Sequence, residues 1–228
     1  MTVEELVAAL RPHVAGALIA TDFDGTLAPL VPDPAQSRPV AGAVDALTAL
    51  AQRGAQVAVV TGRDARTVLH LGGLEKIPRL VIAGLYGVET WTDGELDTPH
   101  TPDSLHALHA RLPAVVAAAG DPDVWIEDKR LSLVVHARRA QDPDAALAAL
   151  DEPVRGLATE LELEVHPGAG VLEIRLPGYD KAGAITRLAA GRSAVLYVGD
   201  DLGDLPAFAT IGELRAAGTL AYAVAVRS

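Results

Sequence analysis

Two aspartates set one residue apart at the end of an apolar run are the residues of this chain best placed to do chemistry. In Leu18-Ile19-Ala20-Thr21-Asp22-Phe23-Asp24-Gly25-Thr26 a buried-strand pattern, Ala17 to Ala20, stops on Asp22 and Asp24, and Gly25-Thr26 must turn the chain. Carboxylates at the end of a buried strand repel each other and lose solvation, and the common compensation is a hard divalent cation. Mg²⁺ favours one or two carboxylates together with phosphate oxygens. A carboxylate beside such an ion can also act as a nucleophile and form an acyl phosphate. The plain alternative is that Asp22 and Asp24 open a turn, where aspartate is favoured.

Three more polar groups follow apolar runs: Thr61-Gly62-Arg63, the turn Gly84-Leu85-Tyr86-Gly87, and Gly199-Asp200-Asp201-Leu202-Gly203-Asp204; Lys181 opens a helical pattern. Each has a plain reading as well, as a strand-to-helix turn, a solvated lysine, or turn and N-cap aspartates. Together they supply a nucleophile, a hydroxyl donor, a cation and a second acidic cluster. Phosphoryl transfer asks for that set, because there the protein mainly positions the group and neutralises its spread charge. On this reading Asp22 attacks phosphorus, and Asp24 protonates the departing oxygen and later activates water. Thr61 and Lys181 hold the non-bridging oxygens. Asp200 completes a Mg²⁺ site with Asp22 and the backbone carbonyl of Asp24.

Such groups meet only if the elements between them form one sheet. Apolar spacing predicts helices over Val3–His13, Val40–Arg53 (closed by Gly54), Asp64–Leu71, Lys181–Ala189 and Leu205–Ala217. Strands are predicted over Gln56–Val60, Leu80–Ala83, Ala194–Val198 and Leu220–Val226, beside the first at Ala17–Ala20. Strands alternating with helices at this spacing give a parallel, doubly wound sheet, whose ligands bind at the carboxyl ends of its strands. The prolines of Ala28-Pro29-Leu30-Val31-Pro32-Asp33-Pro34 impose an irregular loop.

From about Asp93 the pattern changes to α-β-β-α-β-β: a helix over Asp103–Ala119, strands Asp123–Asp128 and Leu131–Ala137, a helix over Asp144–Glu160, then strands Glu162–His166 and Val171–Leu176. Alternation is clean, with Leu161, Leu163 and Val165 opposite Glu162, Glu164 and His166, and Leu172, Ile174 and Leu176 opposite Glu173 and Arg175. That is an antiparallel sheet with one helix-covered face and one polar face. The expected organisation is a core of residues 1–93 and 178–228, interrupted by an α+β insert of residues 94–177.

Composition narrows the partners. The chain has 228 residues, half of them apolar, enough for one large or two small domains. A formal net charge of −11 argues against non-specific nucleic-acid or anionic-membrane binding. With no cysteine, disulfides and thiolate metal sites are excluded. Met1-Thr2-Val3-Glu4-Glu5 lacks the basic run of a secretory leader, and no apolar stretch approaches membrane-spanning length, so a soluble cytoplasmic protein is expected.

Asp22-Phe23-Asp24-Gly25-Thr26, Thr61-Gly62-Arg63, Lys181 and Gly199-Asp200-Asp201-Leu202-Gly203-Asp204 resemble the four motifs of haloacid dehalogenase (HAD) phosphatases. The insert resembles the type-two (C2b) cap of the sugar-phosphatase branch. Within it, Glu127-Asp128-Lys129-Arg130-Leu131-Ser132-Leu133-Val134-Val135-His136-Ala137-Arg138 is similar to the cap motif of trehalose-6-phosphate phosphatases. Leu85-Tyr86-Gly87-Val88-Glu89, Val171-Leu172-Glu173-Ile174-Arg175 and Asp180-Lys181 look like that family too. The resemblance implies an α/β, HAD-like Rossmannoid core with an α+β cap, and Mg²⁺-dependent hydrolysis of trehalose 6-phosphate through an aspartyl-phosphate. It implies catalytic Asp22, Asp24, Thr61 and Lys181, and metal ligation among Asp22, Asp24, Asp200, Asp201 and Asp204. Substrate binding falls to Arg63, Gly87, Glu127, Lys129, Ser132, His136 and Glu173, with His136 either bracing the cap or reaching the ligand. The implied partner is a trehalose-6-phosphate synthase. Other sugar phosphates (sucrose phosphate, mannosyl phosphoglycerate) and a non-catalytic phosphosugar-binding role are the rival readings. The family pattern also implies a further strand and helix beyond Ser228, and hence an uncovered edge on the last strand.

Overall fold

The computed structural model describes residues 1–98, 101–129, 131–168 and 170–227. The chain divides into two compact units, Met1–Pro99 with Asp180–Ser228, and His100–Tyr179.

The first unit is built on a seven-stranded sheet. In chain order its elements are α1 (Val3–Leu10), β1 (Ala17–Thr21), α2 (Ala43–Gln52), β2 (Gln56–Val60), α3 (Ala65–Gly72), β3 (Val81–Gly84), β4 (Glu89–Thr92) and β5 (Glu95–Asp97). The second unit contributes α4 (Asp103–Ala118), β6 (Trp125–Asp128), β7 (Ser132–His136), α5 (Pro143–Glu160), β8 (Glu164–Gly168) and β9 (Val171–Arg175). The chain then returns to the first unit with α6 (Lys181–Ala189), β10 (Ala194–Gly199), α7 (Leu205–Ala216) and β11 (Leu220–Ala225).

Strand order in the first sheet is β11-β10-β1-β2-β3-β4-β5, and the five strands from β11 to β3 are parallel. All five residues of β1 are buried because helices cover both faces of the sheet. Ala17 and Ile19 point into one cluster with Val57, Val59, Leu47 of α2 and Val68 of α3. Leu18 and Ala20 point into the other with Val60, Val195, Ile185 of α6 and Ile211 of α7. The doubly wound expectation therefore holds. Among the described residues β11 pairs only with β10 and forms one edge of the sheet.

The antiparallel hairpin β4–β5 was not expected. Its turn is Asp93-Gly94, both with positive φ (51° and 90°), the backbone that an Asp-Gly hairpin turn requires. A second difference lies at β8, which starts at Glu164 rather than Glu162. Leu161 and Glu162 form a turn, with Glu162 at φ 56°, so the strand cannot begin there.

The second unit is a four-stranded antiparallel sheet, order β6-β7-β9-β8, with α4 packed on β7 and α5 on β8 and β9. Leu133, Val135, Leu172 and Ile174 are buried with Leu105, Leu108 and Leu112 of α4 and Leu150 and Val154 of α5. No helix among the described residues is long and apolar enough to cross a membrane.

Candidate active site

In the first unit, the carboxyl ends of β1, β2 and β10 and the start of α6 bring the predicted groups together. Asp22 follows β1, is 5% exposed, and donates its backbone N–H to the carbonyl of Val198 on β10 (2.8 Å). Lys181 is the first residue of α6, whose N-cap Asp180 accepts from the N–H of Gly183 (2.7 Å). That cap fixes the buried ammonium of Lys181 3.0 Å from Asp22 Oδ1 and 2.6 Å from Asp204 Oδ1.

Asp204 is fully buried and saturated. Its Oδ1 accepts from Lys181 and from the hydroxyl of Tyr197, and its Oδ2 from the N–H groups of Asp200 (2.8 Å) and Asp201 (3.2 Å). Asp204 thus shapes the loop after β10. Asp200 accepts at Oδ1 from the Thr26 hydroxyl (2.7 Å). A Cβ on Gly25, which has φ 78°, would lie 2.0 Å from Asp200 Oδ2, so only glycine lets that carboxylate approach the turn after β1.

Oxygens of Asp22, Asp200 and Asp204 lie within 4.8 Å of one another and form the acidic cluster among the described residues that could hold a metal. Three carboxylates facing one ammonium leave about two negative charges, which a divalent cation matches. Asp201 stands outside this cluster: it is exposed, and its carboxylate accepts from the N–H of Gly203 (2.8 Å). The Asp24 side chain is outside it as well.

Asp24 is clamped. Arg63 reaches it with Nε on Oδ2 (2.5 Å) and Nη2 on Oδ1 (2.6 Å), a bidentate fork, and the buried Ser37 hydroxyl donates to Oδ1 (3.2 Å). Arg63 also donates Nη1 to the carbonyl of Pro34 (2.8 Å) and lies over the Phe23 ring. Here Arg63, predicted to bind substrate, engages the predicted acid–base group. Thr61 is 1% exposed at the end of β2, and its hydroxyl accepts from the N–H of Arg63 (3.2 Å). Gly87 is buried; its carbonyl accepts from Arg187 on α6 (2.9 Å), and a Cβ there would lie 2.9 Å from that of Ala184. Its φ of 86° and this close packing both favour glycine here. The preceding Leu85 and Tyr86 are both left-handed, at φ 49° and 59°, a costly backbone held by Leu85 N–H to the Arg63 carbonyl and Tyr86 N–H to the Thr61 carbonyl (both 2.9 Å).

Burial is the largest single influence on each ionisable group here. It pushes the Asp22 carboxyl up to about 7, with Lys181 pulling it down and Asp204 adding to the rise. For Asp204, burial is outweighed by Lys181, Tyr197 and the Asp200 N–H, which hold its carboxyl below the usual range. Burial lowers the Lys181 ammonium, but the two carboxylates outweigh it and the net movement is upward. The Tyr197 hydroxyl, buried and donating to Asp204, is driven up and stays protonated.

The second unit, taken by itself, places Glu127 of β6, Ser132 and His136 of β7 and Glu173 of β9 on one face of its sheet, opposite the helices. His136 Nε2 lies 2.7 Å from Glu127 Oε2, and the Ser132 hydroxyl donates to Glu173 Oε1 (2.8 Å). Lys129 follows β6, with its N–H on the Ser132 carbonyl (3.0 Å). Arg130 lies outside the described residues.

Ser37 and Tyr197 were not singled out from the sequence, and Thr26 was read there only as part of the turn and motif after Asp24. Of the first two, only Tyr197 left a trace, since a phenol inside an apolar strand needs a buried hydrogen-bond partner.

The sequence profile of the trehalose-phosphatase family matches residues 20–227. The trehalose-phosphate phosphatase of Mycobacterium avium is 37% identical over 205 residues, covering 82% of this chain and 49% of that protein. The chain thus spans about half the length of the curated relatives it matches. Among solved structures, the C-terminal domain of Candida albicans trehalose-6-phosphate phosphatase has a TM-score of 0.76 at 22% identity, covering 100% of this chain and 88% of that one. Aspergillus fumigatus trehalose-6-phosphate phosphatase has a TM-score of 0.72 at 25% identity, covering 96% and 84%. These likenesses give the fold as HAD-like, a parallel-sheet core with a cap carrying the second sheet. The profile match runs through both units and includes every motif residue described above: the chain belongs to the trehalose-phosphatase family.

Proposed function

We propose that the chain hydrolyses trehalose 6-phosphate to trehalose and inorganic phosphate. The observation that carries this reading is a buried carboxylate, Asp22, tethered by a buried lysine 3.0 Å away, beside a second aspartate, Asp24, held by its own cationic fork. An oxygen of Asp22 attacks phosphorus, the bond from phosphorus to the sugar oxygen breaks, and Asp24, protonated on an oxygen released from the Arg63 fork, gives the sugar oxygen its proton. Asp24, now ionised, takes a proton from water as the water oxygen attacks the aspartyl-phosphate; the Asp22–phosphorus bond breaks, restoring both carboxyl groups. Lys181 and the Thr61 hydroxyl offset charge on the transferring group.

Asp22 and Asp200, with the Asp24 carbonyl, would hold Mg²⁺, and Asp204 would support them through Lys181 and the backbone of the loop. When bound, that ion supplies charge neutralisation for the two carboxylates and for the phosphate oxygens. Selectivity for the disaccharide is assigned to Glu127, Lys129 and Glu173, since carboxylates accept from sugar hydroxyls and an ammonium donates to them. The enzyme that supplies this substrate, a trehalose-6-phosphate synthase, is the partner this reading implies.

Intact-protein mass spectrometry after rapid acid quench tests the covalent step. With an aryl phosphate, whose leaving oxygen needs little protonation, Asp24→Asn is expected to accumulate one phosphoryl group on Asp22, and Asp22→Asn to take up none. Phosphorylation of Asp22→Asn, or of a different residue, would refute the assignment.

A further inference from the structure

The polar face of the second sheet holds its two glutamates by side chains of the strand between them. β7 lies between β6 and β9. On one side His136 directs Nε2 to Glu127 Oε2 (2.7 Å); on the other Ser132 donates to Glu173 Oε1 (2.8 Å). Both contacts are diagonal across the ladder. His136 is paired with Trp125, two residues before Glu127, and Ser132 with Arg175, two residues after Glu173. Diagonal neighbours on one face lie within reach of long side chains.

The two donors are anchored more firmly than the groups they hold. Ser132 is 8% exposed, and the His136 side chain is 14% exposed against 46% for Glu127. His136 is stacked on Trp125 with centroids 4.6 Å apart and planes 7° from parallel, and the Arg139 guanidinium lies over the same indole at 4.3 Å. The imidazole Nδ1 is buried with no hydrogen-bond partner among the described residues, and the ring is oriented by its stack on Trp125 and its contact with Glu127. Facing a carboxylate, Nε2 carries the proton. Each glutamate keeps its second oxygen, Glu127 Oε1 and Glu173 Oε2, without a partner among the described residues. A flexible side chain is thereby fixed through one oxygen and presents the other.

We propose that His136 and Ser132 are positioning residues, which fix Glu127 and Glu173 so that their second oxygens accept sugar hydroxyls, and do not themselves contact the sugar. The inference rests on the sugar-binding reading of the two glutamates. It assigns His136 to bracing rather than to binding, the two roles left open in the sequence.

Two double-mutant cycles test it, with kcat and KM measured for trehalose 6-phosphate: Glu127→Ala with His136→Ala, and Glu173→Ala with Ser132→Ala. His136→Ala and Ser132→Ala are each expected to lower kcat/KM roughly 10- to 100-fold, mainly through KM. That loss shrinks to about twofold or less when the partner glutamate is already alanine. Ser132→Thr, which keeps the hydroxyl, is expected to stay within about threefold of the parent; a loss as large as alanine's removes the hydrogen bond from the argument. The same fold-loss with or without the glutamate overturns the proposal. Thermal midpoints of every variant separate unfolding from mispositioning, and His136→Phe, which keeps a ring to stack on Trp125 but has no N–H donor, replaces His136→Ala if the latter does not fold. Undiminished kcat/KM in both single glutamate variants would instead refute the sugar-site reading itself.

Discussion

Replacing Asp22 by Asn should stabilise the metal-free protein while abolishing turnover. Burial raises the folded-state carboxyl from 3.8 to about 7, so between those values the folded chain holds a proton that the unfolded chain has released. Stability therefore falls as pH rises through that window, and the loss is complete above about pH 7. At 1.36 kcal/mol per pH unit, the raised Asp22 carboxyl costs the folded state under 1 kcal/mol near pH 4, under 2 near pH 5 and about 4 near pH 8. The attraction of Lys181 is already contained in the folded-state value, and the side chain is only 7% exposed, so solvent screens little of this cost. Asn mimics the neutral acid and escapes it. For a chain of this length the gain near pH 8 corresponds to a Tm rise on the order of 10 °C in EDTA. Mg²⁺ at about 100 times its Kd should return roughly 2.7 kcal/mol to the parent and little to the variant, narrowing the gap. Calorimetry of both proteins at several pH values, with EDTA and with Mg²⁺, decides the matter. A gap independent of pH, or an Asn variant less stable than its parent near pH 8, would refute the claim that Asp22 is held ionised at a cost awaiting a cation.

Other substitutions separate the remaining roles. Asp204→Asn breaks a buried pair with Lys181 and should cost roughly 3–5 kcal/mol, whereas Tyr197→Phe removes one hydrogen bond and should cost about 1.5–3; equal losses in thermal denaturation would contradict the placement of Asp204 at the hub. Arg63→Lys loses the fork on Asp24, and should lower kcat for a sugar phosphate more than for an aryl phosphate; equal losses in steady-state kinetics would detach Arg63 from the acid–base step. Lys129→Ala should raise KM for the disaccharide phosphate much more than for a small aryl phosphate, and equal effects would remove Lys129 from sugar binding.

The core was legible because its chemistry and its strand pattern coincide: a parallel strand buried on both faces reads as an unbroken apolar run, and β1, β2 and β10 each stop on polar groups. The hairpin β4–β5 escaped because its residues are mostly half-exposed and mixed in polarity, leaving Asp93-Gly94 as its one strong signal. Glu162 was misread because alternation in sequence does not reveal a left-handed φ. The clamp on Asp24 was invisible for another reason. Arg63 and Ser37 come from a strand-end turn and a proline-bearing loop, and only the folded chain brings both to one carboxylate. Likewise the partner of His136 depends on the register between β6 and β7, which places Trp125 rather than Glu127 directly opposite.

The central claim is tested most directly by phosphate release from trehalose 6-phosphate, sucrose 6-phosphate and glucose 6-phosphate, each with Mg²⁺ and with EDTA. Rapid release from the trehalose ester, much slower release from the other two, and loss of activity in EDTA are the predicted results. Equal rates on all three esters would contradict the substrate assignment, and no release from any of them by the folded protein with Mg²⁺ would contradict the catalytic reading of Asp22 and Asp24.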